Sequence, residues 1–228
     1  MNILCAIPAR LGSQRLPRKN LLSLAGKPMI AYSIEAALSS GLFDKAYVCT
    51  ESSEIADIAR NFGAEPVLVP AELCGDLVPS HAPCQWLVKR LREGGEHPEA
   101  LVCLQPSSPL RTLEDIQNSV AAFQRGNYDF LVSVTSVDPH YFHWVVTRRE
   151  DGTAGMYFGD TFLKERPLLP PVFRPNGSIK IAKPDRLREV GHFFGPNLGV
   201  VETPEERSVH VNNEFDFRLC ENLLREAH

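Results

Sequence analysis

A basic segment near the N-terminus carries residue types that bind anions. Four cations lie close together there, with a glycine and a serine between them: Arg10, Arg15, Arg18 and Lys19, with Gly12 and Ser13. Glycine lets the backbone approach a ligand closely or take a positive φ. Successive backbone N–H groups form an anion-binding concavity, and arginine presents forked donors to phosphate oxygens. The segment therefore predicts a phosphate site, and on charge alone the alternative is a solvated basic loop over a sheet.

The elements around this segment place it at the edge of a sheet. An apolar run over 3–7 predicts a buried first strand that ends at Pro8, since proline has no N–H for a sheet ladder. Further predicted strands alternate with amphipathic helices, the strands over 46–50, 66–69, 100–104 and 130–134 and the helices over 29–38, 52–62, 84–92 and 112–123. This order predicts an α/β protein with a doubly wound, mostly parallel sheet. Such sheets bind ligands outside the carboxyl ends of their strands.

The pattern changes after about residue 137, where prolines, aromatics and short apolar runs replace the alternation. We interpret 137–182 as an antiparallel extension within a single domain that covers residues 1–228, followed by a final amphipathic helix over 213–225. The aromatic residues of the extension suit either a subunit interface or a local core, and they are Tyr141, Phe142, Trp144, Tyr157 and Phe158.

Composition restricts the class of partner. The 228 residues carry a formal net charge of −4, which argues against a nucleic acid because no overall basic surface is available. The six cysteines show neither CxxC nor zinc spacing, and those in predicted strands read as small core residues. No signal peptide or membrane span is visible, so we expect a cytoplasmic protein with reduced thiols and no membrane partner.

The basic segment belongs to a longer motif, IPARLGSQRLPRKNLLSLAGKPMIAYSIEAAL, which resembles the signature of the CMP-sialic acid (acylneuraminate) and CMP-Kdo cytidylyltransferases. The matching residues are Arg10, Gly12, Ser13, Arg15, Pro17, Lys19, Asn20, Gly26, Lys27 and Pro28. The motif is distinct from GxGxxG and from the Walker loop, neither of which occurs. The segments LQPSSPLR, FRPNGSIKI and ERSVHVNNEFDF follow in the family's order, so the resemblance spans nearly the whole chain.

The resemblance implies a Rossmann-like nucleotidyltransferase that transfers CMP from CTP to an acidic 2-keto-3-deoxy sugar and releases pyrophosphate. Such a reaction needs in-line positioning and neutralisation of negative charge. Arg10, Arg15 and Lys19 are the expected catalytic cations, and they also belong to the nucleotide site together with Gly12, Ser13 and Asn20. The resemblance further implies a homodimer in which the extension helps to close the neighbouring active site.

Other segments supply the remaining expected contacts. Ser80, after the family-like segment PAELCGD, matches a serine that the family places near the cytosine. The sequence alone favours a helix cap at Ser80 over a contact with the base. The resemblance assigns substrate contacts to Gln105, Ser107, Ser108, Arg166, Arg174 and Asn176. The alternative for 105–111 is a plain strand-to-helix turn, whereas Arg111 reads as structural. Arg166 matches an arginine that reaches the substrate carboxylate, often across the dimer.

The chain departs from the family at two positions. Val69 stands where the sialic acid enzymes often have arginine. Near the C-terminus, where the family carries two aspartates that bind magnesium, this chain has His210 and Asn212. Magnesium prefers hard anionic oxygens, so the expected metal ligands are reduced to Asn212 and Asp216, and the Mg²⁺ cofactor can also be held mostly by the CTP phosphates.

Three readings of function follow from these observations. The first is a CMP-sugar synthetase. The second is a cytidylyltransferase-like enzyme for a different acid or nucleotide, for which the altered positions leave room. The third is a nucleotide- or sugar-binding homologue without turnover, because the basic loop is intact while the metal aspartates are absent. Pyrophosphate release separates the third from the other two.

Overall fold

The computed structural model describes residues 1–226. Its strands, in chain order, are β1 Ile3–Pro8, β2 Ser23–Leu24, β3 Lys27–Pro28, β4 Ala46–Thr50, β5 Glu65–Leu68, β6 Ala100–Leu104, β7 Phe130–Val137, β8 Val146–Arg148, β9 Ala154–Met156, β10 Val172–Ala182 and β11 Leu198–Glu202. Its α-helices are α1 Met29–Ser39, α2 Ser53–Asn61, α3 Ala82–Glu93, α4 Leu113–Arg125, α5 Pro139–His143, α6 Pro184–Val190 and α7 Glu214–Glu226.

Seven strands form the central sheet in the order β11-β7-β10-β6-β1-β4-β5. The pairs β1–β4, β1–β6, β4–β5 and β7–β11 are parallel, whereas β10 runs antiparallel to both β6 and β7. The carboxyl ends of β1, β4, β6 and β7 therefore lie at one edge, together with the first residues of β10. This confirms the predicted doubly wound, mostly parallel α/β sheet.

Both faces of the sheet are covered by helices. On one face, α1, α2 and α4 bury an apolar cluster that includes Ile34, Ile55 and Phe123. On the other face, α3 and α6 pack on the sheet through Leu87 and Leu187. Fully covered parallel strands are apolar throughout, as β4 and β6 are, and each of these two strands is buried at all five positions.

Local sequence signals set several helix boundaries. Thr112 and Asp115 form the predicted reciprocal capping box at the start of α4. Ser52 caps α2 rather than forming its first turn, and Gly63 follows that helix with the predicted positive φ of 85°. Strand β7 continues three residues past the predicted end because β10 pairs with it as far as Val137.

The segment from 137 to 182 is more varied than the predicted antiparallel extension. β8 and β9 do form an antiparallel hairpin, but β10 belongs to the central sheet. The apolar run near Tyr141 is partly helical instead of extended, because Asp138 accepts a hydrogen bond from His140 N and Pro139 starts α5. Among residues 1–226, no helix is long and apolar enough to cross a membrane.

Candidate active site

The basic loop leaves the carboxyl end of β1 and is held at the edge of the sheet by its own polar contacts. The Asn20 side chain is buried and donates from Nδ2 to the Arg10 carbonyl over 2.9 Å, which closes the loop on itself. Arg10 Nη1 donates to Asp76 Oδ1 over 2.6 Å, and Gln14 Nε2 donates to Asp76 Oδ2 over 2.6 Å. Asp76 therefore joins the basic loop to the segment that precedes α3.

Two further cations of the loop contact the segment that precedes α7. Lys19 Nζ donates to the Val211 carbonyl over 2.8 Å, and Arg15 Nη2 donates to Asn212 Oδ1 over 2.9 Å. Burial lowers the pKa of Lys19 to about 8, and the charges of Arg15 and Arg10 lower it further in the same direction. The crowding of like charge means that this corner of the molecule favours an anion.

These cations line one cleft with a volume of about 330 Å³. Its lining includes residues from the predicted nucleotide and substrate sets, namely Arg10, Arg15, Lys19, Asn20, Ser80, Gln105 and Ser107. Residues 73–75 and 78–79 form one wall, and His210 and Asn212 form another. The structure thus brings together segments that are far apart in the chain, at the sheet edge where the sequence placed them.

Of the six residues first named in the basic loop, Gly12, Ser13 and Arg18 lie outside the lining of this cleft. Gly12 has no positive φ, and a Cβ built on it would meet no atom of residues 1–226 within 4 Å, so the backbone conformation and the neighbouring protein atoms do not require a glycine there. Ser13 is also absent from the lining. Arg18 instead has the left-handed conformation, with φ 55°, and its guanidinium pairs with Glu54 of α2.

Ser80 faces the cleft and does not cap α3. His81 is the residue that precedes the helix, and no side chain caps its first turn. Ser80 Oγ instead accepts a hydrogen bond of 2.9 Å from Gln105 Nε2. The capping alternative is therefore wrong, and the Ser80–Gln105 pair bridges the end of β6 to the start of α3.

Arg111 has the structural place that the sequence suggests. Arg111 is 5% exposed, and its guanidinium donates to the carbonyls of Gln105 and Ser178 and to the hydroxyls of Ser33 and Ser178. Burial lowers the pKa of Arg111 to about 10, so the group remains charged at neutral pH. This one side chain fixes the 105–111 turn against β10 and α1.

His210 is held between two hydroxyl groups of the turn after β6. Its Nε2 lies 3.0 Å from Ser107 Oγ, and its Nδ1 lies 2.9 Å from Ser108 Oγ. Burial lowers the pKa of His210 to about 4, and the charges of Lys19 and Lys180 act in the same direction. Gly177 packs against the ring, because its Cβ would lie 2.9 Å from His210 Nδ1 and its φ is 73°.

The neutral state of His210 makes folding stability depend on pH. The unfolded imidazole, with a pKa near 6.5, takes up a proton before the folded one does, so the stabilisation is present above pH 6.5 and is lost as the pH falls towards 4. We expect the free energy of unfolding to fall by about 2–3 kcal/mol over this range through His210. Urea unfolding of wild type and His210→Gln at several pH values measures this loss, and an equal slope for both proteins would contradict it.

The three remaining residues predicted to contact the substrate, Arg166, Arg174 and Asn176, lie in three different environments. Arg166 is exposed and pairs with Asp138 over 2.9 Å, outside the cleft. Arg174 lies behind His210, in a second depression that it shares with Glu205 and Glu206. Asn176 is 2% exposed and does not line the cleft, since its amide is engaged by the hydroxyls of Ser133, Thr203 and Ser208.

The two expected metal ligands do not fit a resident magnesium ion. Asp216 Oδ2 accepts the backbone N–H groups of Asn212 and Asn213 over 2.8 and 3.2 Å, and Asn213 Oδ1 accepts from Asp216 N, which makes a capping box for α7. Asn212 Oδ1 is bound to Arg15. Within residues 1–226, no cluster of three or more His, Cys, Asp and Glu side chains is arranged for a metal. His210 and Asn212 stand where the family carries aspartates, so this part of the site contains neutral side chains and cations.

Several residues of the cleft had no role assigned from the sequence. Asp76 holds Arg10 in place through a hydrogen bond. The sequence analysis identified the segment PAELCGD, which ends at Asp76, but assigned no role to this residue. In the sequence, His210 is notable only because it replaces an aspartate of the family. Its contacts with the hydroxyls of Ser107 and Ser108 were not predicted. Val69, the other departure, is buried in the apolar cluster beneath α3.

A doubly wound sheet with a basic loop at the carboxyl end of its first strand is typical of α/β proteins that bind nucleotides or other anionic ligands. The cytidylyltransferase family model matches residues 4–148, and the chain belongs to this family. The fold is also similar to that of a CMP:2-keto-3-deoxy-manno-octonic acid synthetase solved with CTP, with a TM-score of 0.77 and 16% identity over the whole of both chains.

This chain is also similar in sequence to several cytidylyltransferases, and the fraction of each relative that it matches differs. A pseudaminic acid cytidylyltransferase of Campylobacter jejuni is 34% identical, over 100% of this chain and 98% of its own. A CMP-N,N'-diacetyllegionaminic acid synthase of Legionella pneumophila is 32% identical, over 98% and 97%. An N-acylneuraminate cytidylyltransferase of Escherichia coli is 33% identical over 96% of this chain, but this chain spans only 51% of that longer relative.

Proposed function

We propose that this protein transfers CMP from CTP to an acidic 2-keto-3-deoxy sugar of the sialic acid type and releases pyrophosphate. The observation that carries the proposal is the convergence of Arg10, Arg15 and Lys19 on one cleft at the carboxyl edge of the sheet. The cleft continues from these cations to the Ser80–Gln105 pair, which offers polar groups to a base or a sugar. Membership of the cytidylyltransferase family supports CTP as the donor.

The chemistry requires the hydroxyl on the anomeric carbon of the sugar acid to attack the α-phosphorus of CTP. The new oxygen–phosphorus bond forms as the bond between the α-phosphorus and the oxygen bridging to the β-phosphorus breaks. The hydroxyl proton passes to water, and pyrophosphate leaves. Arg10, Arg15 and Lys19 offset the charge that builds on the leaving group. Asn20 closes the loop that presents these cations, so it acts by positioning the loop.

Magnesium enters this scheme with the substrate, as the MgCTP complex. The residues at 212 and 216 support this view, because one amide oxygen is bound to Arg15 and the one carboxylate caps a helix. In this scheme the metal ion is therefore bound by the CTP phosphates rather than by side chains of the protein.

The pseudaminic and legionaminic acid enzymes named above are two relatives that this chain matches over nearly their full length. Nine-carbon acids of these two kinds are therefore the first substrates to test, before sialic acid and Kdo. The side chains that surround the sugar, rather than the basic loop, set this specificity.

The homodimer belongs to the same proposal. The segment 141–168 exposes apolar side chains that a partner subunit would cover: Tyr141 79%, Trp144 58%, Val146 59%, Tyr157 62%, Leu163 69% and Leu168 73%. Arg166 lies in this segment, so in the proposed dimer it would belong to the surface that faces the partner. A cytoplasmic location suits the protein, because its six cysteines are free and CTP is made in that compartment.

The experiment is an assay for pyrophosphate release from CTP with a panel of sugar acids: pseudaminic, legionaminic, N-acetylneuraminic and Kdo. Each is run with and without Mg²⁺ and Mn²⁺, beside controls in which UTP, ATP or GTP replaces CTP. Release with CTP and one acid is the expected result. Binding of CTP by calorimetry without release for any pair would instead identify a binding protein without turnover.

A further inference from the structure

The basic loop separates from the sheet at the end of β1, beside the end of β4. Ala9 N donates to the Cys49 carbonyl over 2.9 Å, which extends the parallel ladder one residue beyond β1. In such a ladder the next N–H of the series, that of Leu11, would donate to the Glu51 carbonyl. Leu11 N instead donates to the side-chain Oε1 of Glu51 over 2.8 Å. The Glu51 side chain therefore takes the place of a backbone acceptor where the loop turns away from β4.

This hydrogen bond is one of two that hold the same peptide unit. The Arg10 carbonyl accepts from Asn20 Nδ2 over 2.9 Å, and the N–H of Leu11, on the other side of the same peptide bond, is bound to Glu51. A trans peptide unit is planar, so bonds to its carbonyl and to its N–H together fix the orientation of the plane. This plane in turn sets the direction in which the Arg10 side chain leaves the loop.

Glu51 also lies near the wall of the cleft that residues 73–75 form. Burial raises the pKa of the Cys74 thiol to about 12, and the negative charge of Glu51 acts in the same direction, so the thiol stays protonated. The Cys74 carbonyl accepts from Arg10 Nη1 over 3.4 Å, and Asp76 Oδ1 accepts from the same nitrogen over 2.6 Å. Arg10 is thus held at its guanidinium by this wall and at its backbone by Asn20 and Glu51.

Glu51 makes these contacts from behind the cleft and at a cost in stability. It is half-buried and absent from the cleft lining. Its Oε2 atom is buried and has no hydrogen-bond partner among residues 1–226, and no cationic nitrogen of that part of the chain lies within 4.0 Å of the carboxylate. A buried polar atom without a partner destabilises the fold, and the places where a protein keeps such an atom are often functional. Glu54 differs, because it is exposed and pairs with Arg18, outside the cleft.

We infer that Glu51 is a positioning residue that fixes the Arg10–Leu11 peptide unit and so aims Arg10 at the phosphates of the nucleotide. The inference rests on the proposed function, which supplies the nucleotide, and it extends that function to a side chain that touches no substrate. Glu51 acts as a hydrogen-bond acceptor at the end of a side chain of a particular length, and its charge is not required. A side chain of the same length with an acceptor oxygen should therefore replace it, whereas one of the same length without an acceptor should not.

The test is binding of CTP and of CMP, measured by calorimetry for wild type, Glu51→Met, Glu51→Gln and the control Glu54→Met. Glu51→Met should weaken CTP binding about 10-fold, because Arg10 is no longer held in place for the phosphates. CMP lacks the β- and γ-phosphates and should bind to this variant within about twofold of its wild-type affinity. Glu51→Gln keeps an acceptor for Leu11 N and should bind both ligands as wild type does. Glu54→Met removes a contact of the basic loop outside the cleft and should change neither affinity.

The comparison of the two ligands separates positioning from a structural role, since a variant that only loosened the fold would weaken CTP and CMP binding alike. Equal CTP affinity in wild type and Glu51→Met, an equal loss for both ligands, or a loss in Glu51→Gln as large as in Glu51→Met would each overturn the inference. With a sugar acid that supports turnover, kcat/KM for CTP should fall about 10²-fold in Glu51→Met and stay near the wild-type value in Glu51→Gln. A wild-type protein that binds CTP but releases no pyrophosphate with any acid would reject the proposed reaction, while the affinities would still decide the role of Glu51.

Discussion

Replacing Lys19 by methionine is expected to lower kcat/KM for CMP transfer by about 10²- to 10³-fold. The ammonium lies in the cleft between Arg15 and Arg10, where it offsets charge on the departing pyrophosphate, and groups of this kind contribute about 3–4 kcal/mol to transition-state stabilisation. The change also removes the hydrogen bond to the Val211 carbonyl, so thermal unfolding must be measured beside the steady-state kinetics.

The pH dependence of the same parameter provides an independent check on Lys19. With a pKa of about 8 in the free protein, Lys19 loses its charge as the pH rises above 8, so kcat/KM for CTP should fall there. Lys19→Arg keeps its charge throughout this range and should show no such fall. Two results would contradict a catalytic role for Lys19. The first is a kcat/KM of Lys19→Met within fivefold of the wild-type value, and the second is a wild-type kcat/KM that stays constant up to pH 9.5.

Replacing Arg111 by methionine is expected to lower the free energy of unfolding by about 3–5 kcal/mol. The change would leave the carbonyls of Gln105 and Ser178 and the hydroxyl of Ser33 without their buried donor, at about 1–3 kcal/mol for each unsatisfied group. Arg125→Met is the matched control, because Arg125 is exposed at the end of α4.

Urea unfolding followed by circular dichroism measures both Arg111→Met and its control. We expect the control to stay within about 0.5 kcal/mol of wild type. A loss of less than 1 kcal/mol in Arg111→Met would show that the 105–111 turn is held by its two prolines and not by the guanidinium. Such a result would also mean that the position of Gln105 does not depend on the contact between Arg111 and β10.

Local signals account for most of what the sequence predicts correctly. The capping box of Thr112 and Asp115 depends on residues three positions apart, and the strand over 100–104 follows from an unbroken apolar run. Three of the four cations of the basic loop line the cleft, and they lie within ten residues of one another, so one loop brings Arg10, Arg15 and Lys19 together. The order of strands and helices then fixes the edge at which that turn lies.

Contacts between distant segments account for what sequence reasoning missed. Asn176 resembles a substrate contact, yet hydroxyls of Ser133, Thr203 and Ser208 engage its amide, and these residues are remote from it in the chain. His210 is a second case, because in the sequence it stands out only as a missing aspartate. Its contacts with the hydroxyls of Ser107 and Ser108 come from a turn that is distant in the chain. The spacing of residues in the sequence does not predict contacts of this kind.

The most direct test of the proposed reaction is identification of its products. Wild-type protein is incubated with MgCTP and pseudaminic or legionaminic acid, and the mixture is followed by ³¹P NMR and mass spectrometry. We predict pyrophosphate and a CMP-sugar in equal amounts, with a single new phosphodiester resonance. Free CMP in place of the CMP-sugar, or CTP that is bound but not consumed, would contradict the transfer of CMP to a sugar acid.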